Sequence, residues 1–351
     1  MLGKDDLRIL LETPGVSGYE DEIADKISEY FKPYSDDIKR DVLGNVIAKI
    51  SGQEESSEPR PKIMLAAHMD EIGLMVTKVD EKGFLHVTQI GGIDQRTLPT
   101  QEVVVHGREK IKGVIGAKPP HLSSPDERKK SVPMSELLVD IGYDQAKAKE
   151  LVSVGDLITI DRKMMELKGG RLAGKAMDNR AGVMVILEAL KELKKLKFKA
   201  DVFAVATVQE EVGLRGAVTS TYGLVPEIGI AIDVCHAIMP GVPDASPLGG
   251  GPAVGLGPNI HPKVHQLLKK TAGEERIPMS IEALPGGSGT DAWAMQISRG
   301  GVATGVISIP LRYMHTAVET LAYSDIEQSG KLLAHFIARV DSAFVEGLSC
   351  Y

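Results

Sequence analysis

At 351 residues the chain is longer than one compact domain needs, so two domains are expected. A composition of 43% hydrophobic and 25% charged residues is that of a soluble globular protein, and a net charge of −7 with no long Lys/Arg run excludes a nucleic-acid partner. No stretch approaches the roughly 18 consecutive apolar residues of a membrane span, and two cysteines, Cys235 and Cys350, are too few for a disulfide framework or a cysteine-type zinc site.

Asp5 and Asp6 stand where a secretion signal carries bases, which argues for a cytoplasmic protein. Leu7, Leu10 and Leu11 then make a short helical stripe that Pro14 and Gly15 end. Ser17 and Glu20 have the spacing of a capping box ahead of a second helix, with Ile23, Ile27, Tyr30 and Phe31 on one face. Residues 45–50 read as a strand, 51–61 as a polar loop, and 62–67 as a strand buried on both faces of an α/β sheet.

From residue 72 to 164 the pattern changes. Segments 73–79 and 84–90 alternate around a turn ending in Gly83, a hairpin signal. Further short strands are predicted at 102–106, 111–116 and 157–160, with a helical piece at 135–139. After Arg171 the βα alternation returns: a long helix through Val183, Ile186, Leu187, Leu190 and Leu193, strands at 201–208, 228–233 and 302–309, and a terminal helix at 326–340. The lysines at 191–199 decorate the exposed end of the long helix. The architecture expected is α/β: a mixed-sheet domain (1–71 and 165–351) flanked by helices and interrupted by a β-rich insertion (72–164).

Five places carry candidate chemistry. His68 and Asp70 point the same way on a strand, so the carboxylate can accept the second ring N–H of a metal-binding imidazole; a histidine merely satisfied at a strand end is the bland reading. Asp178 precedes the long helix, where an N-cap would also explain it. Glu210 and Glu211 end an apolar strand as adjacent acids, a costly arrangement unless a cation compensates them. Asp233 ends another apolar strand, and His315 follows a third. Together they fall at the carboxyl ends of predicted strands or in flanking loops, the edge where open α/β sheets bind ligands. Imidazole nitrogens and carboxylate oxygens suit Zn²⁺, Co²⁺ or Mn²⁺, and two such ions roughly 3.5–4 Å apart form a hydrolytic device. Cys235 is a conceivable soft ligand, with a buried inert thiol as the alternative.

The segments AAHMDEIGLMV, AGKAMDNRAG, VQEEVGLRGA, AIDV, GGSGTDA and RYMHTAVE occur in this order from Ala66 to Glu319. In that order they resemble the M42 family, the tetrahedral metallo-aminopeptidases of bacteria and archaea. The resemblance implies two divalent ions per subunit, His68 and Asp233 binding one, Glu211 and His315 the other, and Asp178 bridging. It implies Glu210 as general base and acid for a metal-bridged water and Asp70 as the orienting partner of His68. It further implies hydrolysis of the N-terminal residue of short peptides, a PDZ-like or barrel insertion serving dimerisation, and dimers assembled into a dodecamer.

Two other readings compete. An endo-β-1,4-glucanase needs only two carboxylates, but it would carry the histidines idly, and aromatic residues for stacking on sugars are only 4%. A non-catalytic metal- or peptide-binding scaffold would have no use for Glu210. Gly249–Gly251 and the glycines at 286–289 lack the Lys-Ser/Thr of a phosphate loop and are expected to bring backbone close to the site, with Asp291 supporting its loop.

Overall fold

A computed structural model describes residues 2–53, 59–126, 129–242 and 245–348; Cys350 and part of the polar loop at 51–61 lie outside the described residues. In chain order the strands are β1 (Asp37–Arg40), β2 (Val46–Ile50), β3 (Lys62–His68), β4 (Gly73–Val79), β5 (Leu85–Ile90), β6 (Glu102–His106), β7 (Lys110–Ile115), β8 (Leu138–Asp140) and β9 (Leu157–Ile160). After them come β10 (Met165–Glu166), β11 (Arg171–Gly174), β12 (Asp201–Thr207), β13 (Ile228–His236), β14 (Ala253–Leu256), β15 (Ser280–Ala283), β16 (Ala303–Leu311) and β17 (Glu319–Ala322). The helices are α1 (Lys4–Glu12), α2 (Asp21–Phe31), α3 (Gln145–Leu151), α4 (Met177–Leu193), α5 (Arg215–Leu224), α6 (Pro262–Glu274), α7 (Asp291–Gln296), α8 (Tyr323–Ile337) and α9 (Ser342–Glu346).

An eight-stranded mixed sheet, ordered β1-β2-β12-β3-β13-β16-β14-β15, forms the larger part. Its centre, β12-β3-β13-β16, is parallel. Strands buried on both faces explain the near-continuous apolar runs at β3, β12, β13 and β16. On one face, Ile63, Leu65, Val202, Ile230 and Ile307 pack with α4 and α8; on the other, Met64, Ala66, Val205, Ala231 and Val306 pack with Ala217 of α5 and Ala292 and Met295 of α7. Helix α4 is buried along nearly its whole length. It reads as apolar all round because it is enclosed, not because its pattern is irregular.

Between β3 and β10 the chain closes a six-stranded antiparallel barrel, β4-β5-β8-β7-β6-β9, around its own core of Leu74, Val76, Val103, Val105, Val139 and Ile158. The expected α/β sheet with a β-rich insertion is therefore observed. One expected element is corrected here: residues 135–139 are not a helix. Met134–Glu136 make one 3-10 turn, and Leu138–Asp140 become the strand that pairs with β5 and β7 and closes the barrel. Leu137 and Val139 are both buried, a period-two signal too short to outweigh the helical reading. Helix α3, capped by Asp144 at the Lys147 amide, has no counterpart in the sequence reading.

The capping box expected at Ser17 and Glu20 also does not form. Glu20 is the N-cap of α2 but makes no side-chain cap bond, because both side chains serve tertiary contacts around the site described below.

Candidate active site

Parallel β12, β3, β13 and β16 end along one edge of the sheet, and the register sets what meets there. Thr207 pairs with His68, Ala66 with Ala231, and Asp233 with Ser308. His68 is the last residue of β3, and Glu210 and Glu211 follow β12 after Val208 and Gln209. Asp233 lies inside β13, which runs on to His236 rather than ending at residue 233 as expected. Asp178 and Asn179 depart from helical backbone at the head of α4, and Asn179 Oδ1 accepts from the Gly182 amide at 3.1 Å, so Asn179, not Asp178, caps the regular helix. His315 comes from the loop between β16 and β17.

Two groups of ligand-type atoms result. His68, Asp178 and Asp233 form one, and Asp178, Glu211 and His315 form the other, each with its atoms within 4.8 Å of one another. Asp178 belongs to both. Its Oδ1 lies 3.1 Å from His68 Nε2 and its Oδ2 lies 3.4 Å from His315 Nε2, while Glu211 Oε1 is 3.5 Å from the same His315 nitrogen. Each imidazole is oriented from behind. His68 Nδ1 faces the Asp70 carbonyl at 3.2 Å and the Asp70 carboxylate at 3.3 Å, and His315 Nδ1 faces the Gly92 carbonyl at 2.9 Å. With Nδ1 turned to an acceptor, both Nε2 atoms are directed at the shared carboxylate.

Asp70 is the hub of the support. Its carboxylate accepts from Ser17 Oγ at 2.6 Å and from the amides of Glu210 and Glu211 at 3.0 and 3.2 Å. Glu20 holds the same turn, accepting from the Gln209 amide at 3.1 Å. Buried Glu319 accepts from the amides of both Asp178 and His315, at 3.1 and 2.8 Å. Arg180, wholly buried, donates to the carbonyls of Leu10 and Met69 and to Glu71, which also pairs with buried Lys175. The loops themselves are strained: Ala176, Gln209, Tyr313 and His315 adopt left-handed φ of 55°, 55°, 59° and 61°. Such non-glycine residues cost about 1–3 kcal/mol each and persist where surrounding structure enforces them, commonly at functional sites.

The electrostatics test whether cations fit. Burial, reinforced by Asp233, Asp291 and Glu211 against the pull of His68, pushes Glu210 up to about 10. Burial and Asp178 push Glu211 up to about 7, and burial drives Asp233 well above the usual carboxylate range. The Asp178 hydrogen bond lifts His315 to about 9 against burial. Burial opposes charge on His68 too, but Glu210, Asp178 and Asp70 outweigh it and raise its pKa. Carboxylates forced this close in a desolvated site resist ionising together unless positive charge is supplied. The donor set, the shared carboxylate and the uncompensated negative charge all fit divalent cations.

All seven residues singled out from the sequence thus come together. Cys235 is buried and free, and burial pushes its thiol well above the ordinary range. Asp291 holds Thr207 Oγ1 at the end of β12, at 2.6 Å, and lies near enough to raise Glu210 and Asp233. The glycine segment at 249–251 does not approach the site; the amides of Gly249 and Gly251 donate to Asp325 instead. Ser288 and Gly289 do line the cavity over the cluster. Sequence reading assigned no role to Glu319, Glu71 or Gly92 and misassigned Ser17 and Glu20. Glu319 closes the RYMHTAVE segment and Glu71 follows Asp70, so both were in view, whereas nothing local distinguishes Gly92.

The chain belongs to the M42 glutamyl aminopeptidase family, whose model matches residues 44–332. It is 39% identical to lysyl aminopeptidase of Pyrococcus furiosus over 93% of this chain and 94% of that protein. Among solved structures, an aminopeptidase from the archaeon Desulfurococcus kamchatkensis superposes with a TM-score of 0.91 at 39% identity, covering 99% of this chain and 97% of that one. The Pyrococcus horikoshii TET1 peptidase, which can assemble into a tetrahedron or a large octahedral shell, gives 0.84 at 33%, covering 96% and 99%. A Thermotoga maritima structure named as an endoglucanase gives 0.77 at 30%, covering 98% and 99%. Among the described residues no helix is long and apolar enough to cross a membrane.

Proposed function

We propose that this chain is a two-metal aminopeptidase that removes the N-terminal residue from short peptides. His68 and Asp233 would hold one divalent ion, Glu211 and His315 the other, and Asp178 would bridge them. The observation that carries the reading is the placement of the two Asp178 oxygens, one before each Nε2 of His68 and His315. Zn²⁺ or Co²⁺, or Mn²⁺, bound there would polarise the scissile carbonyl, acidify a water and hold the substrate's free α-amine.

The protein's own groups do the rest. Glu210 Oε2 lies 3.8 Å from His68 Nε2, beside the cluster, and its amide is pinned by Asp70. Glu210 takes a proton from the attacking water as the oxygen–carbon bond forms. It returns that proton to the leaving nitrogen as the carbon–nitrogen bond breaks. Asp70 positions both His68 and the Glu210–Glu211 turn and does not touch substrate. Recognition of a free α-amine restricts cleavage to the first residue.

Residues 1–71 and 165–351 form the catalytic domain in this reading. Residues 72–164, whose strands close the barrel, form a dimerisation domain, with dimers assembling to a dodecamer in the cytoplasm. The glucanase alternative finds no support in the cavity: its walls include no Phe, Tyr or Trp among the described residues, the broad apolar rings on which sugars stack.

Chelator-stripped protein assayed on aminoacyl chromogenic amides should be inactive and recover on restoring about two divalent ions per chain, with N-acetylated amides refractory. Activity indifferent to chelation, or release of reducing sugar from glucan in place of amino acid from peptide, would overturn the reading.

A further inference from the structure

The cavity over the cluster, about 390 Å³, extends from the cation-binding groups past Val234, Cys235 and His236 to Glu282. Alternation along the strands and the register between them put His68, Asp233, Ser308 and Glu282 on one face of the sheet. They are carried by β3, β13, β16 and β15, so Glu282 reaches the cavity from the edge strand. Ser308 sits beside Asp233 in the parallel pair. The Glu282 carboxylate crosses β14 opposite Gly255, which has no side chain to obstruct it, and accepts from Ser308 Oγ at 2.6 Å.

Glu282 is partly buried, and no lysine or arginine pairs with it among the described residues; His236, exposed at the rim, is the cationic-capable group near it. Burial raises its pKa, with Ser308 and His236 opposing. Two divalent cations at the site would offset Asp178, Glu210, Glu211 and Asp233, which leaves Glu282 as the partly buried acid of this cavity with no cation assigned to it. From the β3 row to the β16 row is roughly 10 Å, two strand spacings, a span suited to a long side chain. Val234, Cys235 and Met314 supply apolar wall along the way. Lysine and arginine lay their methylenes on such a wall and carry their charge to its end.

We propose that Glu282 is the specificity-determining residue of this cavity and selects peptides whose N-terminal residue is lysine or arginine. The proposal rests on the aminopeptidase reading above and adds the substrate class to it. A buried carboxylate meeting a cationic side chain discriminates against a neutral one of similar length on the order of 10- to 100-fold.

The test uses the metal-loaded enzyme and the p-nitroanilides of lysine, arginine, leucine and glutamate. Lysyl and arginyl substrates should show at least about tenfold higher kcat/KM than leucyl, with glutamyl lowest. Free L-lysine should inhibit at concentrations at least about tenfold below L-norleucine, which has the same chain without the amine. Glu282→Gln should collapse the lysyl-to-leucyl kcat/KM ratio by about tenfold with the melting temperature near wild type. Leucyl preference in the wild type, equal inhibition by lysine and norleucine, or an unchanged lysyl-to-leucyl ratio in folded Glu282→Gln each overturns the proposal and leaves the aminopeptidase reading standing. The wild-type measurements decide even if the variant does not fold. Absence of cleavage of every amide removes both.

Discussion

His315 Nδ1 and the carbonyl oxygen of Gly92 are 2.9 Å apart, although 223 residues separate them in the chain. Gly92 stands just beyond β5, so the barrel supplies backbone that orients an imidazole of the sheet-edge cluster. A Cβ on Gly92 would meet His315 Nδ1 at 2.8 Å and Cε1 at 3.0 Å. Gly92→Val should therefore displace the ring, lower kcat/KM by about 10–100-fold and weaken metal retention, with little change in melting temperature. Metal content after dialysis, measured beside kinetics, checks it.

Asp178 faces both histidines, so if it bridges the two proposed cations its loss should affect both together. Asp178→Asn is expected to retain fewer than about half the wild-type metal equivalents and to lose more than about 100-fold in kcat/KM. Elemental analysis of the purified variant separates this from loss of one ion alone, which would argue against the bridging role.

Glu210 contributes no atom to either group of ligand-type residues, and its assigned work is proton transfer. Glu210→Gln should keep the wild-type metal content while kcat falls by about 10²–10⁴-fold. Full metal with full rate would remove Glu210 from the mechanism.

Glu71, buried against Lys175 and Arg180, gives a prediction in pH. Burial raises its pKa, but the two cations outweigh this and leave it below the ordinary glutamate value of 4.5. A carboxyl with a lowered folded-state pKa stabilises the fold fully above its unfolded value, and that contribution fades as pH falls through the folded value. Wild type should thus lose stability progressively below about pH 4.5 through this group. Glu71→Gln strands two buried cations and should be destabilised by about 3–5 kcal/mol at pH 7. Urea midpoints at pH 7 and in acid should show the gap between the two proteins shrinking as pH drops.

Much of the fold was legible because burial leaves a pattern. The runs at β3, β12, β13 and β16 are apolar because both faces are covered, and the alternation of β4 and β5 marks a strand with one face in the barrel core. The short β8 escaped because its place depends on pairing with β5 and β7, which are distant in sequence. Ser17 and Glu20 misled for a related reason: their spacing matches a local cap, yet Asp70 and the Gln209 amide offered buried partners that a cap could not.

By itself, the sequence determined which side chains could meet at the sheet edge, since acids and histidines placed at the ends of apolar runs must emerge where parallel strands stop. The tertiary structure alone decided how they meet. Strand register set Asp233 beside Ser308 and His68 beside Thr207, and the barrel brought Gly92 to His315. It also carried Glu282 across β14 into the cavity. Periodicity reports which face of an element is buried, but contacts between elements far apart in the chain arise only when those faces pack.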